Sequence, residues 1–153
     1  MKLLIMRHAE ALSSPDDFAR PLSARGLEQA KNQGGLLARF LSQNTWIFDV
    51  LISSDLLRAR QTLNQLTTQL SYSSETLTLK AFRPDSSAER AFEALRVFDG
   101  KNVLVVSHMP LVSALDHWLC LEGRLDFDLA QMQLYDVSLM MKGEATRLPM
   151  EPN

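Results

Sequence analysis

Met1-Lys-Leu-Leu-Ile-Met-Arg7-His8 opens the chain, and this stretch decides the fold that we predict. Leu3 to Met6 form a short apolar run that ends abruptly in a cation and an imidazole. A run of this length between polar residues is typical of a buried strand in a parallel sheet. Because open α/β sheets bind ligands just outside the carboxyl ends of their strands, we expect Arg7 and His8 at the mouth of a crevice.

A second stretch repeats this pattern near the other end of the chain. Asn102-Val-Leu-Val-Val-Ser107-His108 is again an apolar run that ends in a histidine. The carboxyl ends of parallel strands meet at one edge of a sheet. The two matched stretches therefore predict one site that is built from both histidines.

The segments between these strands predict alternating helices and strands. Apolar residues recur at helical spacing from Ser23 to Ser42, after Ser54, after Ser86 and from Pro110 to about Cys120. Further strands are predicted at Phe48–Ser53, Thr76–Lys80 and Gln131–Met141, the last of them at a sheet edge. This order predicts an α/β fold with three layers, α/β/α, around a largely parallel central sheet.

Local signals predict where the helices begin. Ser23 and Ser54 are candidate N-caps, and Ser86-x-x-Glu89 has the pattern of a capping box. The polar cluster Ser71–Ser74 is predicted as a loop. Residues 9–22 form a longer polar segment, and a connector of that length is more typical of a functional loop than of a simple turn.

The whole-chain composition limits the possible classes of protein. With 153 residues and 46% apolar residues, the chain is expected to form a single domain over residues 1–153 with frayed last residues. A formal net charge of −2 argues against a nucleic-acid binder that works by bulk charge. One cysteine, Cys120, excludes an internal disulfide and is expected to pack in a helix. With no predicted membrane span or signal peptide, we expect a cytoplasmic protein.

Four side chains are expected to surround one crevice: Arg7, His8, Arg58 and His108. Guanidinium groups match phosphate geometry and keep their charge. A neutral imidazole can attack phosphorus, because water can later cleave the phosphoramidate that forms. The set therefore predicts a phosphate-binding site in which one histidine is the nucleophile.

Several residues have alternative interpretations. Arg60 could replace Arg58, although the two point to different sides of a helix. Arg20 is predicted to anchor the 9–22 loop and to contact the carboxyl edge of the sheet, where it belongs to the predicted substrate-binding residues. His117, between Asp116 and Trp118, is interpreted as structural, and a metal hydrolase that uses all three histidines is disfavoured because two arginines would repel a cation.

Four motifs occur in the order found in one known family. They are Leu4-Ile-Met-Arg7-His8-Ala-Glu10, Arg20-Pro-Leu-Ser-x-x-Gly26, Ser53-Ser54-x-Leu-Leu-Arg58-Ala-x-Gln-Thr62 and Val105-Val-Ser107-His108-Met-Pro-Leu111. With them the chain resembles the histidine phosphatase (phosphoglycerate mutase-like) superfamily. Its short length is similar to that of the SixA-type phosphohistidine phosphatases. The resemblance covers roughly residues 1–115.

The resemblance implies a role for each matching residue. It implies His8 as the phosphorylated nucleophile, with Arg7, Arg58 and His108 as the other residues of the phosphate pocket. We also expect no metal or organic cofactor, because the arginines supply the charge that Mg²⁺ would supply elsewhere. One position departs from the pattern, because Ala9 stands where the family usually has glycine, and we expect this alanine to be tolerated.

The choice of substrate depends on whether the site has a general acid. An alkyl phosphate needs a proton donor at its leaving oxygen, whereas a protonated imidazole leaves readily. The region where related enzymes usually carry this acid offers only Asp85 and Glu89. We therefore expect a phosphatase of phosphohistidine proteins. The alternatives are a phosphatase of small phosphate esters or of phosphoserine and phosphothreonine, and a non-catalytic phosphohistidine-binding module.

Overall fold

The computed structural model describes residues 1–70 and 74–150, which form a six-stranded sheet with helices on both faces. The strands are β1 (Lys2–Arg7), β2 (Val50–Ser53), β3 (Glu75–Thr78), β4 (Val103–Ser107), β5 (Met132–Val137) and β6 (Ala145–Leu148). The helices are α1 (Ala24–Ser42), α2 (Leu57–Thr67), α3 (Ala88–Arg96) and α4 (Leu111–Cys120), and there are two short 3-10 turns, Asp17–Ala19 and Lys80–Phe82.

The strand order in the sheet is β3-β2-β4-β1-β5-β6. The first four strands in this order are parallel to one another, while β5 runs antiparallel to β1 and β6 antiparallel to β5. The predicted three-layer α/β fold with a largely parallel sheet is confirmed. The carboxyl ends of β1, β2, β3 and β4 consequently meet at one edge.

Period-two alternation in the two central strands separates two hydrophobic cores. In β1, Leu3 and Ile5 face the core that contains α3 and α4, and Leu4 and Met6 face the core that contains α1 and α2. All four side chains are completely buried. Since both faces of β1 are covered, the strand is a continuous apolar run, as expected of a central parallel strand.

Helix α1 begins as predicted at its N-cap, because the hydroxyl of Ser23 accepts a hydrogen bond from the backbone N–H of Gly26. Its buried face includes Ala30, Gly34 and Leu37. A side chain at Gly34 would meet the backbone of Leu66 at 3.0 Å, so this glycine allows α1 to approach α2 closely. Gly34 therefore serves helix-to-helix packing.

Two predicted helix starts were wrong. The N-cap of α2 is Leu56, which makes no side-chain cap bond, and Ser54 instead contacts His108. The N-cap of α3 is Ser87, whose hydroxyl accepts from the N–H of Arg90, so the capping box from Ser86 does not form. The backbone N–H of Ser86 donates to the Arg83 carbonyl in a turn, which delays the helix by one residue.

The prediction of a single last strand at an edge was also wrong. The segment Gln131–Met141 contains β5, which lies inside the sheet between β1 and β6. The chain then turns through Gly143, which has a φ of 84°, a value that glycine adopts without strain, and returns as the edge strand β6. The sequence pattern does not indicate this short strand, because Thr146 and Arg147 interrupt its apolar residues.

Of the predicted loop Ser71–Ser74, residues 71–73 lie outside the described part of the chain. The hydroxyl of Ser74 donates to the Phe48 carbonyl just before β3 begins. Among the helices of residues 1–70 and 74–150, none has the length and apolar character that a membrane crossing requires.

Candidate active site

The pairing of β1 with β4 brings the two strand-end histidines together. Arg7 is in register with Ser107, and the backbone N–H of His8 donates to the Ser107 carbonyl at 2.9 Å. The residues that follow, His8 and His108, have ring centroids 5.0 Å apart and are both buried. The expected two-histidine cluster is therefore a direct consequence of parallel register.

The backbone determines which nitrogen of His8 is free. Nδ1 of His8 lies 2.6 Å from the carbonyl oxygen of Ala9, and a carbonyl can only accept a hydrogen bond. Nδ1 must therefore carry the proton. In the neutral ring this leaves Nε2 with its lone pair available as a nucleophile.

Ala9 fits its position without the conformational freedom of glycine. Among the non-glycine residues described, only Leu121 and Ala130 have a positive φ, so Ala9 does not need one. Its side chain is completely buried and its N–H donates to the hydroxyl of Thr62 at 3.1 Å. The expectation that alanine is tolerated here agrees with this geometry.

Ser54 is a site residue that the sequence analysis assigned to a different role. Its hydroxyl oxygen contacts Nε2 of His108 and also accepts from the N–H of Leu56. The Ser54 hydroxyl keeps its own hydrogen and can donate it to Nε2. In neutral His108 the proton then lies on Nδ1, which is buried and has no hydrogen-bond partner among the described residues. Neutral His108 is thus able to donate to a ligand.

Arg58 is the second residue of α2 and is 4% exposed. Its Nη1 donates to the backbone carbonyl of Asp17 at 2.8 Å, and its buried Nε has no partner within the described residues. Arg60 is exposed, so the structure places Arg58, and not Arg60, at this edge of the sheet. The helix therefore separates the two arginines as the sequence indicated.

Arg7 is held from the opposite side of the site. Its Nη1 donates to the carbonyl of Phe127 at 2.9 Å. Its Nε is buried and, within residues 1–70 and 74–150, has no hydrogen-bond partner. A buried N–H donor without a partner is costly, and a bound anion would satisfy both it and Nε of Arg58.

Arg20 anchors the loop of residues 9–22. Its Nε donates to the Leu12 carbonyl at 2.9 Å, and its Nη1 lies 3.3 Å from the carboxylate of Asp17. The charge of Arg20 lowers the pKa of His8, so it acts on the site electrostatically. The structure shows the anchoring contact that was predicted.

Gly26 and Glu10 fix the start of this loop. A side chain at Gly26 would lie 2.0 Å from the Glu10 carbonyl oxygen, so only glycine allows this approach. The carboxylate of Glu10 accepts from the Ser23 hydroxyl and lies 3.7 Å from Arg25. The close approach of Gly26 to the Glu10 carbonyl explains why the second motif ends in glycine.

Burial and positive charge keep both histidines neutral. Burial lowers the pKa of His8 to about 4; the hydrogen bond to Ala9 opposes this effect, and three nearby arginines add to it. Burial also lowers the pKa of His108 to about 2, with His8 and Arg58 as the next causes. Neutral imidazoles beside two guanidiniums leave a site with excess positive charge and unused donors. Such a site suits a tetrahedral oxyanion.

His117 lies elsewhere in the structure. It is exposed on α4, and its Nδ1 is 2.8 Å from the carbonyl oxygen of Glu122. No group of three or more metal-ligating side chains occurs among the described residues. The structure therefore does not bring together the three histidines of the metal-hydrolase alternative.

Fold and geometry together define a class: α/β proteins that present paired histidines and arginines at the carboxyl edge of a largely parallel sheet. The model of the histidine phosphatase superfamily (branch 1) matches residues 3–83. The phosphohistidine phosphatase SixA of Escherichia coli (strain K12) is 33% identical over 124 residues, which cover 78% of this chain and 74% of that protein. This chain belongs to the histidine phosphatase superfamily.

Further similarity extends over nearly the whole chain. A SixA homolog of Haemophilus influenzae is 33% identical over 121 residues, 73% of each chain. A structure of the protein histidine phosphatase SixA complexed with tungstate superposes with a TM-score of 0.84 at 29% identity, and covers 97% of this chain and 94% of that one. The sequence-based recognition of the family is confirmed.

The two lowered pKa values predict a pH-dependent stability. A histidine with a pKa of about 6.5 when unfolded and a lower pKa when folded stabilises the fold fully above pH 6.5 and loses this contribution as the pH falls toward the folded value. Between about pH 7 and pH 5, each histidine should remove about 2 kcal/mol from the free energy of unfolding. Urea unfolding in phosphate-free buffer measures this loss.

The matched control is the double variant His8→Gln/His108→Gln, which keeps the exposed His117 and all carboxylates. Over the same pH range, its free energy of unfolding should fall by about 4 kcal/mol less than that of wild type, because both histidine contributions are removed. An equal pH dependence in wild type and double variant would contradict the assignment of two buried neutral histidines.

Proposed function

We propose that this protein is a phosphatase that removes the phosphoryl group from phosphohistidine through a covalent intermediate on His8. The observation that carries the proposal is the free Nε2 of His8, which lies beside buried His108 and Arg58 in a site with unused donors. The family and its SixA relatives support the reaction class.

The proposed reaction has two steps. Nε2 of His8 attacks phosphorus, the bond from phosphorus to the substrate nitrogen breaks, and the imidazole leaves with the electron pair of that bond, neutral because its other ring nitrogen already carries a proton taken from solvent. Water then attacks the phosphoryl group on His8, which releases inorganic phosphate and restores the lone pair of Nε2. Each step transfers one phosphoryl group and requires no oxidant or reductant.

Arg7, Arg58 and His108 are proposed to hold the oxygens of the transferring group. Each carries a buried N–H or ring nitrogen without a partner among the described residues. Donors already in place where negative charge develops lower the barrier, because they need no reorganisation during the reaction. Arg20 is proposed to support binding through its charge and through its anchoring of the 9–22 loop.

The carboxylates near the site favour a phosphohistidine substrate. Glu10 lies beside Arg25, Asp17 contacts Arg58 and Arg20, and Asp55 pairs with Arg83. The pKa of the Asp55 carboxyl is lowered by its hydrogen bonds to Arg83, so this group stays ionised and is a poor proton donor. Alkoxide leaving groups need such a donor, whereas a protonated imidazole does not.

The substrate is thus proposed to be a phosphorylated protein, such as a histidine-containing phosphotransfer domain, with a cytoplasmic location. Small phosphate esters and phosphoserine or phosphothreonine remain the competing substrates. A phosphohistidine-binding module without turnover would bind the same ligand but release no phosphate. All three alternatives are outcomes of the same assay.

A comparison of three substrates tests this proposal. The value of kcat/KM should be highest for a phosphohistidine peptide, intermediate for p-nitrophenyl phosphate and lowest for an alkyl phosphate, because only the last needs strong protonation of its leaving group. The peptide should exceed the alkyl ester by at least about 100-fold, the size of a typical general-acid contribution.

The carboxylate variants Glu10→Gln, Asp17→Asn and Asp85→Asn sharpen this test. If one of them slows the alkyl ester far more than the phosphohistidine peptide, or if wild type prefers the alkyl ester, a dedicated acid exists and the small-ester function is correct. Asp85 is exposed and its carboxylate makes no hydrogen bond among the described residues, so Asp85→Asn tests whether an unpaired carboxylate supplies the proton.

A further inference from the structure

The 3-10 turn Asp17–Ala19 has no buried residue, although it supports a buried arginine of the site. The carbonyl of Asp17 accepts from Arg58, and its carboxylate lies 3.4 Å from the same guanidinium. A turn without a core contact depends on other interactions to offset its conformational entropy. The position of Arg58 therefore depends on what holds this turn in place.

One of those interactions is an aromatic contact outside both hydrophobic cores. Phe18 is 46% exposed, and the guanidinium carbon of Arg83 lies 4.7 Å from the centre of its ring. A guanidinium over the face of an aromatic ring is attracted to it, and this contact holds the ring from one face. Phe18 thus links the turn to the segment that follows β3.

Arg83 is itself held in a fixed orientation. Its Nε donates to one carboxylate oxygen of Asp55 at 2.8 Å, and its Nη2 donates to the other. Two parallel hydrogen bonds fix the plane of a guanidinium as well as its position. Asp55 directly follows Ser54, so the pair is attached to the same backbone that positions His108.

We propose that Arg83 is a positioning residue for the phosphate site: stacked on Phe18 and fixed by Asp55, it holds the 17–19 turn, and through the Asp17 carbonyl it orients Arg58. Arg83 acts through these residues and does not contact the phosphoryl group. The inference rests on the proposed function only in that Arg58 binds a phosphate oxygen.

The experiment measures binding of inorganic phosphate by calorimetry and kcat/KM for p-nitrophenyl phosphate. Arg83→Ala and Phe18→Ala should each weaken phosphate binding about tenfold, because displacing a ligand-holding group by a fraction of an ångström has effects of this size. The double variant should also lose only about tenfold, since both changes break the same connection. Multiplied losses, about 100-fold together, would overturn the connection.

Two conservative variants separate positioning from charge. Arg83→Lys keeps the charge but loses the planar fork, so it should behave like Arg83→Ala, whereas Phe18→Tyr keeps the ring and should bind phosphate like wild type. Full binding in Arg83→Lys would overturn the proposal, because charge alone would then explain the effect.

A surface control separates positioning from general stability. Arg96→Ala removes an exposed arginine paired with Glu93 on α3 and should leave phosphate affinity unchanged. If Arg83→Ala also binds phosphate within about twofold of wild type, at whatever melting temperature, Arg83 is only structural. Phosphate binding tests this inference whichever phosphorylated substrate the enzyme hydrolyses, so a failure of the substrate assignment is visible separately.

Discussion

The variant His8→Ala is expected to lose turnover by a factor on the order of 10⁴ or more, because the proposed reaction has no route without the covalent step. Nε2 of His8 is the nitrogen that the Ala9 carbonyl leaves free. The measurement is the rate of phosphate release from a phosphohistidine peptide, with circular dichroism to show that the variant is folded.

His117→Ala is the matched control for this loss. His117 is exposed on α4, away from the site, and its Nδ1 is hydrogen-bonded to the Glu122 carbonyl. Its removal should leave kcat within about twofold of wild type. Residual activity above about one per cent in folded His8→Ala would show that another group is the nucleophile.

Arg58→Ala is expected to lower kcat/KM by about 10²- to 10³-fold, the usual effect of removing one preorganised donor to a charged transition state. Arg60→Ala should change it by less than about twofold, because that side chain is exposed on the same helix. The pair is matched in residue type, charge and helix, and differs only in the face of α2 that each side chain occupies.

Steady-state kinetics on both variants with p-nitrophenyl phosphate decides this point. The loss in Arg58→Ala should appear mainly in kcat, since the charge on the transferring group is best stabilised in the transition state. Equal losses in both variants would mean that general electrostatic attraction, and not a specific donor, explains the role of Arg58.

Much of the fold was predictable because strands and helices have different apolar periods. The buried runs of β1 and β4, and the histidines that follow them, depend only on local pattern and on the rule that parallel strands end at one edge. The N-cap at Ser23 was also a local feature. These features are determined by residues close together in the sequence.

The errors occurred where distant contacts override a local pattern. Ser54 has the pattern of a helix cap, but its partner is His108, 54 residues away. Ser86 fits a capping box, but its N–H is already used in a turn with Arg83. A short-range rule cannot weigh such competing partners.

The end of the sheet and the surroundings of Arg58 were missed for a related reason. Strand β6 has little apolar alternation of its own and is recognised only through its pairing with β5. The contact of Arg83 with Phe18 joins two segments that are about 65 residues apart, and no periodicity indicates it. The positions of Arg7 and His8 were predictable, whereas the contacts that hold the arginines were not.

The central claim is that His8 carries the phosphoryl group during hydrolysis of phosphohistidine. The most direct measurement is rapid mixing of the protein with a peptide labelled by ³²P on histidine, followed by quenching in alkali and mapping of the labelled residue. We expect a label on His8 that is stable in alkali, labile in acid and absent from folded His8→Ala. Release of phosphate without any labelled protein, or a label on another residue, would contradict the claim.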